Sequence, residues 1–218
     1  MRRIFLRVFV LIIFSSFPLY AQPVGKTVEI PPSAPYAQID VAKTSEALNA
    51  FNSKDEAIKQ KKMEEVMNHP ENFSPPVLYG LAYLLFEHGQ KDDAVFWLYV
   101  GVLRGTFDAN LCKDESAKEA IGAMNMFTGS KIFQYSTQDL NKLEQVGKKV
   151  LEWDQATPFN YDQRWINLHG MGAMTSSLEA LQGKRSNKQI DMSAPKSQWE
   201  EIHRKTREDF FADLKKAI

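Results

Sequence analysis

The segment LYGLAYLLFEHGQKDDAVFWLYVGVLRG, Leu78–Gly105, is the most apolar long stretch beyond the N-terminal leader, and its punctuation reads as a helical hairpin. Ser74 precedes Pro75 and Pro76, so a side-chain oxygen stands where a first turn has free N–H groups, and proline sits where a missing N–H costs nothing. Phe73 is placed to staple onto Leu78. From Val77 to Phe86 almost every residue is apolar, the mark of a buried helix. His88 and Gly89 end it, since glycine adopts the left-handed conformation that closes a helix. Gln90–Asp93 form a polar turn, with Asp92 and Asp93 at the positive end of the next helix dipole. Ala94, Trp97, Leu98, Gly101 and Val102 then recur at spacings of three and four, and the pattern predicts a stop near Gly105.

Working outward, residues 38–218 read as a single all-α domain, a compact bundle of six to eight helices around this hairpin. Upstream, Ile39–Phe51 is expected to be a first helix, and Ser53 with Glu56 a capping box opening a charged helix to about Asn68. Downstream, Phe107–Leu111 reads as a short connection and Lys113–Phe127 as a helix with a small-residue face of Ala117, Ala120, Ile121 and Met124, broken at Thr128–Ser130. Ser136 with Asp139 signals a helix to about Trp153 that buries Leu140, Leu143, Val146 and Val150. Ser197 with Glu200 opens a last amphipathic helix whose Trp199, Ile202, Phe210 and Leu214 keep one side apolar. No alternating run is long enough for a sheet.

The spacing Leu78, Leu81, Ala82, Leu85, Gly89, Ala94, Leu98, Gly101 resembles the tetratricopeptide pattern. Ala94, Trp97 and Gly105 are also similar to the Sel1-like variant, with its A-x-x-W and a glycine eight residues on. The resemblance covers about one unit, residues 74–105. No second unit has the same spacing, and Thr106 and Phe107 stand where proline often follows a repeat. The resemblance implies binding of a protein or peptide in a concave groove without chemistry. A plain tight αα-hairpin uses small residues at its crossing in the same way. One unit does not make a solenoid, so a closed bundle is expected.

Residues 1–21 have the form of a cleavable secretory signal: Arg2, Arg3 and Arg7, then apolar Val8–Phe14, then Pro18–Ala21 before a cleavage site. The apolar core is too short for a membrane span, and no later stretch is long enough, so no transmembrane anchor is expected. Export to the periplasm or exterior follows. The whole chain has 27 basic and 27 acidic residues. Loss of three arginines with the leader leaves −3, which argues against nucleic acid as a partner. Cys112 is the only cysteine, so no intrachain disulfide forms; it reads as a small buried or semi-buried residue at a helix junction rather than as a reactive thiol. Residues 22–37 carry Pro23, Pro31, Pro32 and Pro35 and read as an extended arm. Residues 182–191, QGKRSNKQID, read as a polar, mobile loop.

The candidate binding residues concentrate in WDQATPFNYDQRWINLHGMGAM, Trp153–Met174, where Asn160, Tyr161, Asp162, Arg164, Trp165 and His169 combine large aromatics with Arg and Asp, a composition suited to a binding hot spot. Trp97 on the hairpin is added to them. The same residues suit a packed loop, with rings filling gaps between helices and Arg164 paired to Asp154 or Asp162. For catalysis, His169 with Asp162 and Ser176 or Ser177 has the ingredients of a triad, but no G-x-S-x-G elbow marks a nucleophile. His69, His88 and His203 stand alone without metal-ligand spacing, and no phosphate loop is present, so neither cofactor nor metal is expected.

The expectation is therefore a non-enzymatic, exported interaction module, monomeric or weakly dimeric, with a protein or peptide partner; an immunity or inhibitor protein would be one form of it. The alternatives are a small-molecule or lipid-binding periplasmic protein, which needs a ligand-sized cavity, and a hydrolase using His169.

Overall fold

The computed structural model describes Pro32, residues 35–184 and residues 191–217. The leader, most of the proline-rich arm and residues 185–190 of the polar loop lie outside the described residues. The rest is all-α, with nine α-helices rather than six to eight: α1 Ala42–Phe51, α2 Glu56–Asn68, α3 Pro75–Glu87, α4 Lys91–Leu111, α5 Glu119–Met124, α6 Ser130–Ser136, α7 Leu140–Ala156, α8 Met171–Leu181 and α9 Trp199–Ala217. Among the described residues the only sheet-like pairing is an isolated bridge between Cys112 and Ser193. There Leu111 O accepts from Ala194 N and Lys113 N donates to Met192 O, which fixes the approach to α9.

The hairpin is α3 and α4, turned by Gly89 at φ +82°. Asp92 and Asp93 lie in the first turn of α4. Ser74 occupies the cap position of α3, but its hydroxyl is shared with Thr44 at 2.6 Å instead of capping the helix. Asp55, not Ser53, caps α2, accepting from Ala57 N, and Asp139 caps α7, accepting from Lys142 N. At the third expected box, Lys196–Gln198 form a 3₁₀ turn behind Pro195 with no side-chain cap.

Two expectations of length fail for one reason. α4 does not stop near Gly105 but runs six residues further, because Phe107, Asp108, Ala109 and Leu111 continue its buried face. At Gly105 a Cβ would lie 2.9 Å from Ile121, so this glycine serves close approach, not termination. Likewise Thr128–Ser130 do not break the chain's helical path. Asn125–Gly129 form a π-helical turn joining α5 to α6, with Gly129 against Phe133 and Leu98.

Small residues let α4 sit at the centre, packed on α3, α6, α7 and α9. A Cβ on Gly101 would meet the Tyr79 ring at 3.0 Å, and one on Gly80, on the other side of α3, would meet Phe51 of α1 at 2.9 Å. Leu78, Leu81, Leu85, Leu98, Leu103 and Val150 fill the main core. Two satellite clusters lie beside it, one of Ala109, Cys112, Ala117, Ile121, Trp165 and Ile166, the other of Tyr36, Ile39, Ala173 and Met192. The end of the proline-rich arm is thus not extended: Tyr36–Gln38 form a 3₁₀ turn and Tyr36 is buried.

Candidate binding groove

Behind the groove stands a network of buried charge. Arg104 and Asp108 lie four residues apart on α4, on one side of the helix, and both are fully buried. The Arg104 guanidinium donates to Asp154 Oδ1 at 3.1 Å, Pro158 O at 3.1 Å and Thr157 O at 2.6 Å. Its flat faces lie against Trp153 and Phe159, with ring centroids 4.5 and 4.0 Å away. Asp154 Oδ2 accepts from Arg207 Nε at 2.8 Å and pairs with His203 Nε2 at 2.8 Å, which ties α9 to α7. His203 in turn stacks on Phe107. Burial works to raise the Asp154 pKa, but His203, Arg104 and Arg207 together outweigh it and hold the carboxyl below its ordinary value.

Asp108 receives three donors from one short stretch: Trp165 Nε1 at 2.7 Å, Tyr161 OH at 3.0 Å and Gln163 Nε2 at 3.1 Å. Burial is the larger influence there and pushes its pKa up to about 7, against these hydrogen bonds and the nearby Arg104 charge. The stretch is pinned at its other end as well. Asp162 accepts from Arg164 Nη2 at 2.6 Å and Nε at 2.9 Å, and from the Asp40 and Arg164 backbone N–H groups at 3.0 Å each. Burial would raise the Asp162 pKa, and the Arg164 and backbone hydrogen bonds reverse this.

The residues proposed for binding therefore divide. Trp165 and Trp97 are buried; Trp97 packs edge-on against Phe96 and Trp153. Tyr161 is committed to Asp108, Asp162 to Arg164, and the Asn160 backbone N–H to Glu71 O at 2.8 Å. Arg164 pairs with Asp162, the second of its two expected partners, and reaches Gln38 O. His169 is exposed and sets its ring edge-on to Trp165 at 5.5 Å, and the surrounding protein lowers its pKa through desolvation. Ser177 is buried in α8. Both oxygens of Asp162 are engaged elsewhere than with His169, so the triad ingredients are not assembled around Asp162. Among the described residues no three His, Cys, Asp or Glu side chains gather as metal ligands.

On the other side of Trp165 lies a groove of about 500 Å³. α1 and the residue before it supply Val41, Thr44, Ser45 and Leu48; Pro76 of α3 and Ala120, Ala123 and Met124 of α5 continue the wall. Phe127 and Thr128 of the π turn and Trp165, Leu168 and His169 complete it. Its volume falls in the range of ligand and peptide-anchor sites. The π turn gives it a raised edge, since Phe127 is 77% and Met126 61% exposed. The turn is held from beneath by Tyr79, whose hydroxyl donates to Asn125 Oδ1 at 2.6 Å. A second apolar surface, Met171, Met174, Leu178 and Leu181, runs along α8.

Sequence reasoning put the small-residue face of α5 inward for close packing, and did not foresee that Ala120 and Ala123 line a cleft. It missed the Arg104–Asp108–Asp154 network because ending the helix at Gly105 separated Arg104 from Asp108. The visible signal was two opposite charges four apart in an otherwise apolar run. A scan against models of protein families, a search of curated proteins and a search of solved structures each return no match for this chain.

Proposed function

We propose that this is an exported, non-catalytic interaction protein that receives a protein or peptide partner in the groove between α1, the α5–π turn and Trp165–His169. The observation that carries the reading is Phe127, an exposed aromatic ring at the lip of an apolar cleft, on a π turn anchored by a part-buried hydrogen bond from Tyr79. Large apolar side chains left in water beside a concave apolar surface mark interaction sites, and π turns recur at functional positions. The basic, apolar and small-residue pattern of residues 1–21 supports export to the periplasm or exterior. The likeness of residues 74–105 to tetratricopeptide and Sel1-like units supports binding without chemistry. In this reading Trp165 lines the groove, and the other aromatic and charged residues of 153–164 are the scaffold behind it and not its contact surface.

A second reading, a carrier of a small apolar ligand, is favoured by the groove's volume. Affinity capture from the exported fraction with mature Gln22–Ile218 separates the two when Ala123→Trp is run in parallel. Ala123 is exposed, so tryptophan there fills the cleft without disturbing the core. A stoichiometric protein lost with Ala123→Trp supports the interaction module. A protein retained by that variant refutes the groove as its site, and a co-purifying small molecule lost with the variant favours the carrier.

A further inference from the structure

Charged residues make up 25% of this chain, yet among the described residues no Asp, Glu, Lys or Arg lines the groove. An ordinary surface of that extent would carry about three. The polar side chains offered are the Ser45 and Thr128 hydroxyls and the His169 ring, whose pKa desolvation shifts below its ordinary value. Thr44 is already bonded to Ser74. A carboxylate, phosphate or ammonium group entering here would lose water and find no counter-charge, which is strongly unfavourable. The size of the apolar surface adds a second constraint. A ligand confined to the cleft would meet the side of Phe127 that lines it but leave Met126, which lies outside that lining, in water, so an occupant that covers both extends beyond the cleft.

We infer that what enters the groove is an uncharged apolar part of a polypeptide partner: aliphatic or aromatic side chains, with no anionic or cationic group among them, flanked by chain that lies over Phe127. This rests on the groove being the binding surface.

The test uses the mature chain and two fluorescent probes with the same hydrocarbon tail, cis-parinaric acid and its methyl ester, at pH 8. The ester is expected to bind at least about tenfold more tightly than the acid. Ala123→Trp should abolish ester binding, and Ala123→Lys, which places a cation at the rim, should strengthen the acid at the expense of the ester. An acetylated, amidated helical peptide with leucines four residues apart should displace the ester, and its twin with glutamates at those positions should not. Equal binding of acid and ester, both lost with Ala123→Trp, would overturn the inference while leaving the groove as a binding site. Equal displacement by the two peptides would also overturn it. Binding of neither probe would overturn it too, and the proposed function would then stand or fall separately on capture of a partner.

Discussion

Replacing Arg104 by methionine tests the scaffold behind the groove. The substitution keeps an unbranched chain of similar reach but removes the guanidinium, which is fully buried and makes three hydrogen bonds. Thr157 O and Pro158 O lose their donor, at roughly 1–3 kcal/mol for each acceptor left without a partner. Removing one member of a buried ion pair costs about 3–5 kcal/mol. Here Asp154 keeps His203 and Arg207, which offsets part of that loss. The contributions overlap, and the expected destabilisation is about 4 kcal/mol, a large fraction of the 5–15 kcal/mol typical of a domain. With a urea m-value near 2 kcal/mol/M, the midpoint falls by about 2 M. Arg104→Lys should lose about half as much, because an ammonium keeps the charge without the planar fork or the stacking on Trp153 and Phe159. The assay is urea denaturation followed by far-ultraviolet circular dichroism at pH 7. A loss below about 1 kcal/mol for Arg104→Met would refute the view that this network fixes the 157–165 stretch.

Asp108 has a folded pKa near 7 against an unfolded value near 3.8, so the native state binds the extra proton between those values and stability falls as pH rises through that window. Asp108→Asn removes this dependence, and the gap between variant and wild type should shift in the variant's favour from pH 4 to pH 7 by up to about 1.4 kcal/mol per pH unit; parallel stability curves would contradict it. Gly129→Ala places a methyl 2.7 Å from the Phe133 ring, and a loss of about 1–3 kcal/mol in thermal or urea unfolding is expected. Asn125→Ala leaves the Tyr79 hydroxyl without its partner beneath the π turn, with an expected loss of about 1–3 kcal/mol and faster amide exchange in residues 125–129; unchanged exchange would separate that hydrogen bond from the turn's order.

The hairpin was legible because its signals are local. Gly89, the run from Val77 to Phe86 and the acidic pair Asp92–Asp93 act within a few residues of where they stand. Caps were less so: Ser53, Ser74 and Ser136 each had an acceptor, but Asp55 and Asp139 supply a carboxylate nearer the first free N–H groups, and Ser74 is drawn off by Thr44. The end of α4 was misread because a glycine in sequence does not reveal whether it ends a helix or admits Ile121. Trp165 is ambiguous for a similar reason. Its composition suits a hot spot, and only the position of Asp108, 57 residues earlier in the chain, turns it into a buried strut. The groove itself has no signature in one dimension, since Val41, Ala123 and Leu168 come together only through packing.

The most direct test of the groove as the working surface is quantitative capture of the exported partner by wild-type Gln22–Ile218, by a Met126→Ser, Phe127→Ser double variant and by Arg164→Ala, each checked for an unchanged urea midpoint. Because Phe127 and Met126 are exposed and Arg164 is spent on Asp162, partner binding should fall at least about tenfold for the double variant and stay within about twofold for Arg164→Ala. Binding that survives in the double variant and is lost with Arg164→Ala would contradict the account and place the contact on the aromatic segment instead.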